Sequence, residues 1–330
     1  AQSAPGGRSA GVESLEERLR RKSTPLVRKI AAEHNLDIAQ IPGSGFAGRV
    51  TKSDVLQFLE AGPGTAPAAP RGREAAPDLG VGGGVRVVPG PEVEPWEGDR
   101  VEPWSRIRKL TADHMVMSRR VSAHVSSLIE VDYTRVAGIR ARRKAEYADR
   151  GVNLTFLSFI AKAAADNLRK HAVLNAAVQG ESTIYRRDIN LGIAVALDWG
   201  LIVPVIRHAD ELSLLGVARA IQDLADRART KKLSPDEVQK GTFTITNPGV
   251  FGTAVGLPIL NQPQSAILAV GAITKQPAVV TAGDGTDSLA IRTRGFLALT
   301  FDHRIVDGAD ADRFLADLRS TLEAFPDSES

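Results

Sequence analysis

Leu297-Ala298-Leu299-Thr300-Phe301-Asp302-His303-Arg304-Ile305-Val306-Asp307-Gly308 is an apolar run that leads straight into a histidine. An aspartate follows four residues after the histidine, and Gly308 opens the turn into an amphipathic stretch. The run reads as a buried strand followed by a helix, which makes the chain a mixture of strands and helices. An imidazole at a strand end can be half-buried and held in one tautomer, as suits a general base working near neutral pH. His303 is therefore the candidate catalytic residue, while His34, His114, His171 and His208 read as structural.

Outward from this stretch the mixed pattern covers residues 104–330. Helices are expected over Ile107 to His124, Thr134 to Arg150, from Thr155 through Leu168, from Ser213 through Ala228, and from Ala309 to Phe325. Strands are expected at Ser126 to Val131, Asn190 to Leu197, Leu201 to Ile206, Thr242 to Thr246, Ser265 to Ile273, Ala278 to Val280 and Gly295 to Phe301. The irregular interleaving points to an α/β fold of the α+β sandwich type, with a mixed sheet and packed helices.

Upstream, residues 1–22 form a polar, charged lead expected to be flexible. Residues 23–60 read as a small helical unit. Thr24 precedes Pro25 at a helix start, with Leu26, Val27, Ile30 and Ala31 as its apolar stripe, and Thr51 with Asp54 forms a capping-box-like pair before a second helix. Fewer than about 45 residues is near the lower limit for independent folding, so this unit is expected to exist for binding. Residues 61–103, dense in Pro, Ala and Gly, read as a linker.

Composition sets bounds on function. Over 330 residues, 42 basic side chains nearly balance 39 acidic ones, so neither a polycation nor a nucleic-acid footprint is present. No apolar run is long enough to span a membrane. With no cysteine there can be no disulfide, thiolate metal site or cysteine nucleophile; any thiol chemistry must use the substrates' own sulfur, and no metal is expected. The opening Ala1 to Gly11 lacks the apolar core of a secretory signal, and its start at Ala1 leads to the expectation that something upstream was removed or left out.

The H-x-x-x-D-G pattern of His303, Asp307 and Gly308 resembles the signature of the dihydrolipoamide acyltransferases and the related chloramphenicol acetyltransferases. Gly241-Thr242-Phe243-Thr244-Ile245-Thr246-Asn247-Pro248-Gly249, Gly200-Leu201-Ile202-Val203-Pro204-Val205-Ile206 and Asn261-Gln262-Pro263-Gln264-Ser265-Ala266 look like further blocks of the former family, in its order. The segment 23–60 resembles its peripheral subunit-binding domain.

The resemblance implies a chloramphenicol acetyltransferase-like catalytic domain that moves an acyl group from the dihydrolipoamide thioester to coenzyme A. Whether that group is acetyl, succinyl or branched stays open. His303 would take the proton of the coenzyme A thiol, because only the thiolate is a good nucleophile. Thr246 would donate a hydrogen bond to the oxyanion. Asp307 would hold the loop by pairing with an arginine, for which Arg119 and Arg120 are candidates. Arg28, Arg49 and Lys52 would present positive charge to the decarboxylase component or to dihydrolipoamide dehydrogenase.

None of the eleven lysines lies in an Asp-Lys-Ala hairpin tip, so the lipoyl group is expected on a domain outside this chain. The ending Phe325-Pro326-Asp327-Ser328-Glu329-Ser330 is not the apolar tail by which family trimers join into cages, so a homotrimer is expected ahead of a larger cage. The expected location is a bacterial cytoplasm rather than a mitochondrial matrix. Two rivals stand beside this reading: a non-catalytic subunit that only tethers partner enzymes, and another H-x-x-x-D acyltransferase acting on an alcohol or amine.

Overall fold

In the computed structural model the described residues are Ser23, 25–34, Leu36, Ile38, Ile41, 50–61 and 91–327. They fall in two units, residues 1–86 and 87–330. In the first, α1 (Pro25–Glu33) and α2 (Lys52–Ala61) enclose a small core of Val27, Ile41, Val50 and Val55, with Ile30, Leu36, Ile38, Phe58 and Leu59 packed around it. The expected cap is present: Thr51 N–H donates to Asp54 Oδ2 at 2.8 Å and Asp54 N–H to Thr51 Oγ1 at 3.4 Å. Leu26, expected in the buried stripe, faces outward instead, because helical spacing turns Val27 and Ala31 inward and leaves their neighbour outside. The lead, and residues 62–90 of the linker expected over 61–103, lie outside the described residues.

In the second unit the buried run Ala266–Val270 explains the sheet. Every residue of this strand, β9, is hidden, as fits a strand with neighbours on both edges and cover on both faces. In chain order the other strands are β1 (His124–Asp132), β2 (Ala176–Gln179), β3 (Ser182–Tyr185), β4 (Leu191–Ile193), β5 (Val195–Leu197), β6 (Gly200–Ile202), β7 (Val205–Ile206), β8 (Phe243–Thr246), β10 (Thr274–Thr281) and β11 (Asp287–Asp302). The main sheet runs β1-β11-β9-β8-β4-β7, with β10 also on β11. Its middle pairs β4–β8 and β8–β9 are parallel and the others antiparallel, which makes it the expected mixed sheet.

Five α-helices among the described residues complete the unit: α3 (Arg106–Val121), α4 (Thr134–Asp149), α5 (Phe156–Leu168), α6 (Leu214–Arg229) and α7 (Gly308–Glu323). Thr155 caps α5 through Ser158 N–H, and Ser213 caps α6 through Gly216 N–H, both as the sequence indicates. Phe159 and Ile160 of α5, Phe314 and Leu318 of α7, and Leu299 and Phe301 of β11 belong to one continuous core. Phe325 closes it edge-on against Phe159 at 5.0 Å, and Arg142 ties Asp327 back to α4.

Several boundaries differ from expectation. The helix begun at Arg106 stops at Val121, because Ser122 and Ala123 are drawn into bonds with Asp302 and His124 starts β1. The runs expected as Asn190 to Leu197 and Leu201 to Ile206 are each broken in two, the second at Val203-Pro204, where proline has no N–H to give a ladder. β2 and β3 carry too little apolar periodicity to be found in the sequence. β11 is about twice its expected length, since its first half runs out with β10 as a hairpin whose residues Val279, Leu289 and Ile291 are exposed.

The loop after β8 is seated by backbone packing. A Cβ at Gly271 would lie 2.0 Å from the Ala254 carbonyl oxygen, and one at Gly249 would lie 2.4 Å from the Gly271 backbone. Gly271→Ala should therefore lower the unfolding free energy by at least about 2 kcal/mol, as overpacked sites do. Chemical denaturation would show it, and an unchanged midpoint would contradict this packing.

Candidate active site

His303 stands in the turn between β11 and α7 with its ring exposed. The turn is fixed by the residue before it. Asp302 is 2% exposed, and its carboxylate accepts Ser122 Oγ–H at 2.6 Å, the Arg304 N–H at 3.2 Å and the Arg304 guanidinium at 2.6 Å. Its carbonyl accepts the N–H groups of Ile305 and Val306, and its own N–H donates to Ser265. The His303 N–H donates to the Ala123 carbonyl at 2.8 Å. One aspartate therefore holds both flanks of the histidine, which leaves the imidazole free and its backbone rigid.

A further layer supports this clamp. Gln262 Nε2 donates to Ser122 Oγ at 2.6 Å. His124 Nδ1 donates to the Ser122 carbonyl at 3.1 Å, while its Nε2 accepts the Leu260 N–H at 3.1 Å, so its tautomer is set by two backbone groups. Burial works to raise the Asp302 carboxyl, but the hydrogen bonds from Arg304 and Ser122 outweigh it and hold the group below the usual carboxylate range.

A lowered carboxyl stabilises the fold at neutral pH, and that contribution fades as pH falls through the depressed value. Because Arg304 is partly exposed, solvent screens the pair, and Asp302→Asn should cost only about 1–2 kcal/mol at pH 7. The gap between wild type and variant should narrow below roughly pH 4 in urea denaturation. A gap that stayed constant into acid would contradict the assignment.

The expected arginine partner of Asp307 is not found. Among the described residues the Asp307 side chain has no ion pair or hydrogen bond, and it does not cap α7. Within this turn it is Asp302 that pairs with an arginine, and the arginine is Arg304. The reason is geometric: Asp302 ends a buried strand and needs a counter-charge, whereas Asp307 opens onto solvent.

Thr246 ends β8, half-buried, and its hydroxyl makes no hydrogen bond among the described residues. It lines a cavity of about 710 Å³ with mainly apolar walls, including Ile193, Val195, Leu201 and Phe251. Within one chain Thr246 and His303 do not meet. Thr246 is level with Ala269, and Ala269 with Ala298, so His303 lies five residues farther along the sheet and two strands across. At about 3.3 Å per residue and 4.8 Å per strand, that is roughly 19 Å.

In the first unit Lys52 is exposed at the start of α2. Arg49 and the side chain of Arg28 lie outside the described residues. Sequence reasoning gave no role to Ser122, His124, Gln262, Asp302 or Arg304. The D-x-R spacing was a local signal for the last two, but their link to Ser122, 180 positions away, had none.

Residues 97–328 match the model of the 2-oxoacid dehydrogenases acyltransferase catalytic domain, and residues 21–56 that of the e3 binding domain. The chain belongs to the 2-oxoacid dehydrogenase acyltransferase family. It is 42% identical to the dihydrolipoyllysine-residue acetyltransferase component of the pyruvate dehydrogenase complex from Corynebacterium glutamicum, over 91% of this chain and 43% of that protein. It is 34% identical to the lipoamide acyltransferase component of the branched-chain alpha-keto acid dehydrogenase complex from Bacillus subtilis, over 99% of this chain and 76% of that one.

Its fold is that of a probable dihydrolipoamide acetyltransferase from Listeria monocytogenes, with 37% identity and a TM-score of 0.67 over 71% of this chain and 98% of that one. The α/β sandwich expected from the sequence is thus that of the family's catalytic cores. The chain spans about half the length of the acetyltransferase components it matches.

Proposed function

We propose that this chain is the acyltransferase core of a 2-oxo acid dehydrogenase complex, with each active site completed between two copies. The observation that carries the reading is the separation of an exposed, backbone-clamped His303 from an unengaged Thr246 hydroxyl that lines an apolar cavity. A second copy, as in a closed trimer, brings the two half-sites together. Apolar surface at Val250 and Phe251, beside Thr246, supports such a neighbour.

His303 takes the proton from the coenzyme A thiol, and the thiolate attacks the acyl carbon of the lipoamide thioester. Thr246 of the neighbouring copy donates its hydroxyl to the oxyanion of the tetrahedral intermediate. When the intermediate collapses, the C–S bond to lipoamide breaks, and the leaving sulfur recovers the proton from His303. The apolar cavity at Thr246 suits the alkyl arm of a lipoyl group delivered by a domain outside this chain. Asp307, four residues after His303 and without a side-chain partner among the described residues, is proposed to hold the turn by pairing with an arginine once copies assemble.

The small unit docks the decarboxylase component or dihydrolipoamide dehydrogenase through Arg28, Arg49 and Lys52. A bacterial cytoplasm is the proposed location, supported by bacterial relatives; no helix among the described residues is long and apolar enough to cross a membrane. The test is transfer from S-acyl-dihydrolipoamide to coenzyme A by the purified chain, with acetyl, succinyl and branched donors compared. Turnover with at least one donor is expected, and none with any of the three would favour the tethering rival.

A further inference from the structure

β8 and β9 run parallel, so the chain between them must return from one end of the sheet to the other. This return segment, residues 247–265, begins beside Thr246 and ends beside the turn of His303, where the Ser265 carbonyl accepts the Asp302 N–H at 2.8 Å. Apart from one short 3₁₀ turn (Pro248–Phe251) and a single bridge at Gln264 it has no regular structure, so its backbone groups need partners from elsewhere. At the fully buried Leu260 both are supplied by side chains of one strip, residues 118–124. Ser118 Oγ–H donates to the Leu260 carbonyl at 2.7 Å, and His124 Nε2 accepts the Leu260 N–H at 3.1 Å. Two residues on, Gln262 Nε2 donates to Ser122 Oγ at 2.6 Å.

The same strip seats the turn of His303. The His303 N–H donates to the Ala123 carbonyl at 2.8 Å, and the Ala123 N–H donates to Asp302 Oδ1 at 3.4 Å. Ala123 has no polar side chain of its own, so its position follows from Ser122 and His124 on either side. The His124 ring is left with one state. A carbonyl can only accept and a backbone N–H can only donate, so Nδ1 carries the proton towards the Ser122 carbonyl, at 3.1 Å, and Nε2 is bare. One ring thereby braces the residue before Ala123 against the end of the return segment. Ser126, next on the same face of β1, bonds instead within the sheet, to Thr300 Oγ1 at 2.8 Å.

We propose that His124 is a positioning residue for acyl transfer: its neutral ring, held between Ser122 and Leu260, fixes the Ala123 carbonyl on which the His303 backbone sits. The proposal rests on the general-base reading of His303 argued above and adds a second histidine that acts through the backbone. The lever is short, since His124 is joined to Ala123 by a peptide bond and Ala123 to His303 by one hydrogen bond. A base and a thiol must meet within about 2.6–3.2 Å for the proton to pass. A misplacement of about 1 Å that starts away from the chemistry can cost on the order of 10²-fold in rate.

The test compares the full chain with His124→Ala, His124→Gln and His124→Asn. A glutamine amide oxygen reaches the place of Nε2 and keeps an acceptor for the Leu260 N–H, whereas an asparagine amide reaches only the place of Nδ1. In His124→Ala, kcat for transfer to coenzyme A should fall at least about tenfold, with the KM values of both substrates within about twofold of wild type. His124→Gln should recover most of the loss and His124→Asn little of it. The deficit should also shrink as the pH is raised to about 9, because a thiol whose ordinary value is near 8.5 then ionises without help from a base.

Wild-type kcat in His124→Ala would overturn the proposal while leaving acyl transfer intact. So would a loss that is the same at every pH and is not repaired by glutamine, which is the mark of general damage to the fold. If the wild type transferred no acyl group at all, the general-base reading would fall, and amide hydrogen exchange would still decide the seat. Exchange at residues 302–306 that quickens in His124→Ala and returns to the wild-type rate in His124→Gln, with the amides of β8 unchanged, supports it. Equal exchange in wild type and His124→Ala overturns it.

Discussion

His303→Ala should lower kcat for acyl transfer by roughly 10²–10⁴-fold, the usual contribution of a positioned general base. The fold should hardly notice, because the ring is exposed and the turn is held by the Asp302 carboxylate and by the His303 N–H, which alanine keeps. Steady-state kinetics together with a thermal melt separate the two effects. A variant that melts like the wild type and yet keeps most of its activity would remove the imidazole from the mechanism. Loss of activity accompanied by a large fall in melting temperature would show instead that the ring serves the structure.

The second large effect is expected at Thr246. Thr246→Val preserves the shape of the side chain and removes only the hydroxyl, so about 10²-fold should be lost from kcat, as when an oxyanion donor is deleted, while Thr246→Ser should restore it. The arrangement across two copies can then be read by mixing. Chains carrying His303→Ala and chains carrying Thr246→Val, each nearly inactive alone, should recover about a quarter of wild-type activity when reassembled at random into closed oligomers. One neighbour pairing in four joins an intact histidine to an intact threonine. If both groups served within a single chain, mixing would restore nothing.

These expectations rest on residues that differed in how visible they were beforehand. His303 could be picked out because an apolar strand, a histidine and a glycine-opened helix follow one another without a gap, and local order survives folding. Thr246 stood out only through the blocks that resemble the family; by itself it is one more threonine at a strand end. Asp307 was given an arginine because it belongs to the motif, yet the counter-charge went to Asp302, whose burial at the end of β11 makes a partner necessary. The strands were found wherever apolar runs were long, as at β8, β9 and the second half of β11. They were missed where the strands were short and paired locally, as at β2 and β3.

The sequence by itself determined the class of fold, the caps at Thr51, Thr155 and Ser213, and the position of the histidine, because these depend on periodicity and on side chains a few residues apart. Only the tertiary structure decided that Ser122, Asp302 and Arg304 form one clamp, that His303 and Thr246 lie at different levels of the sheet, and that His124 accepts the Leu260 N–H. Such contacts join positions far apart in the chain. Their geometry follows from strand order and register, which a single sequence does not encode locally.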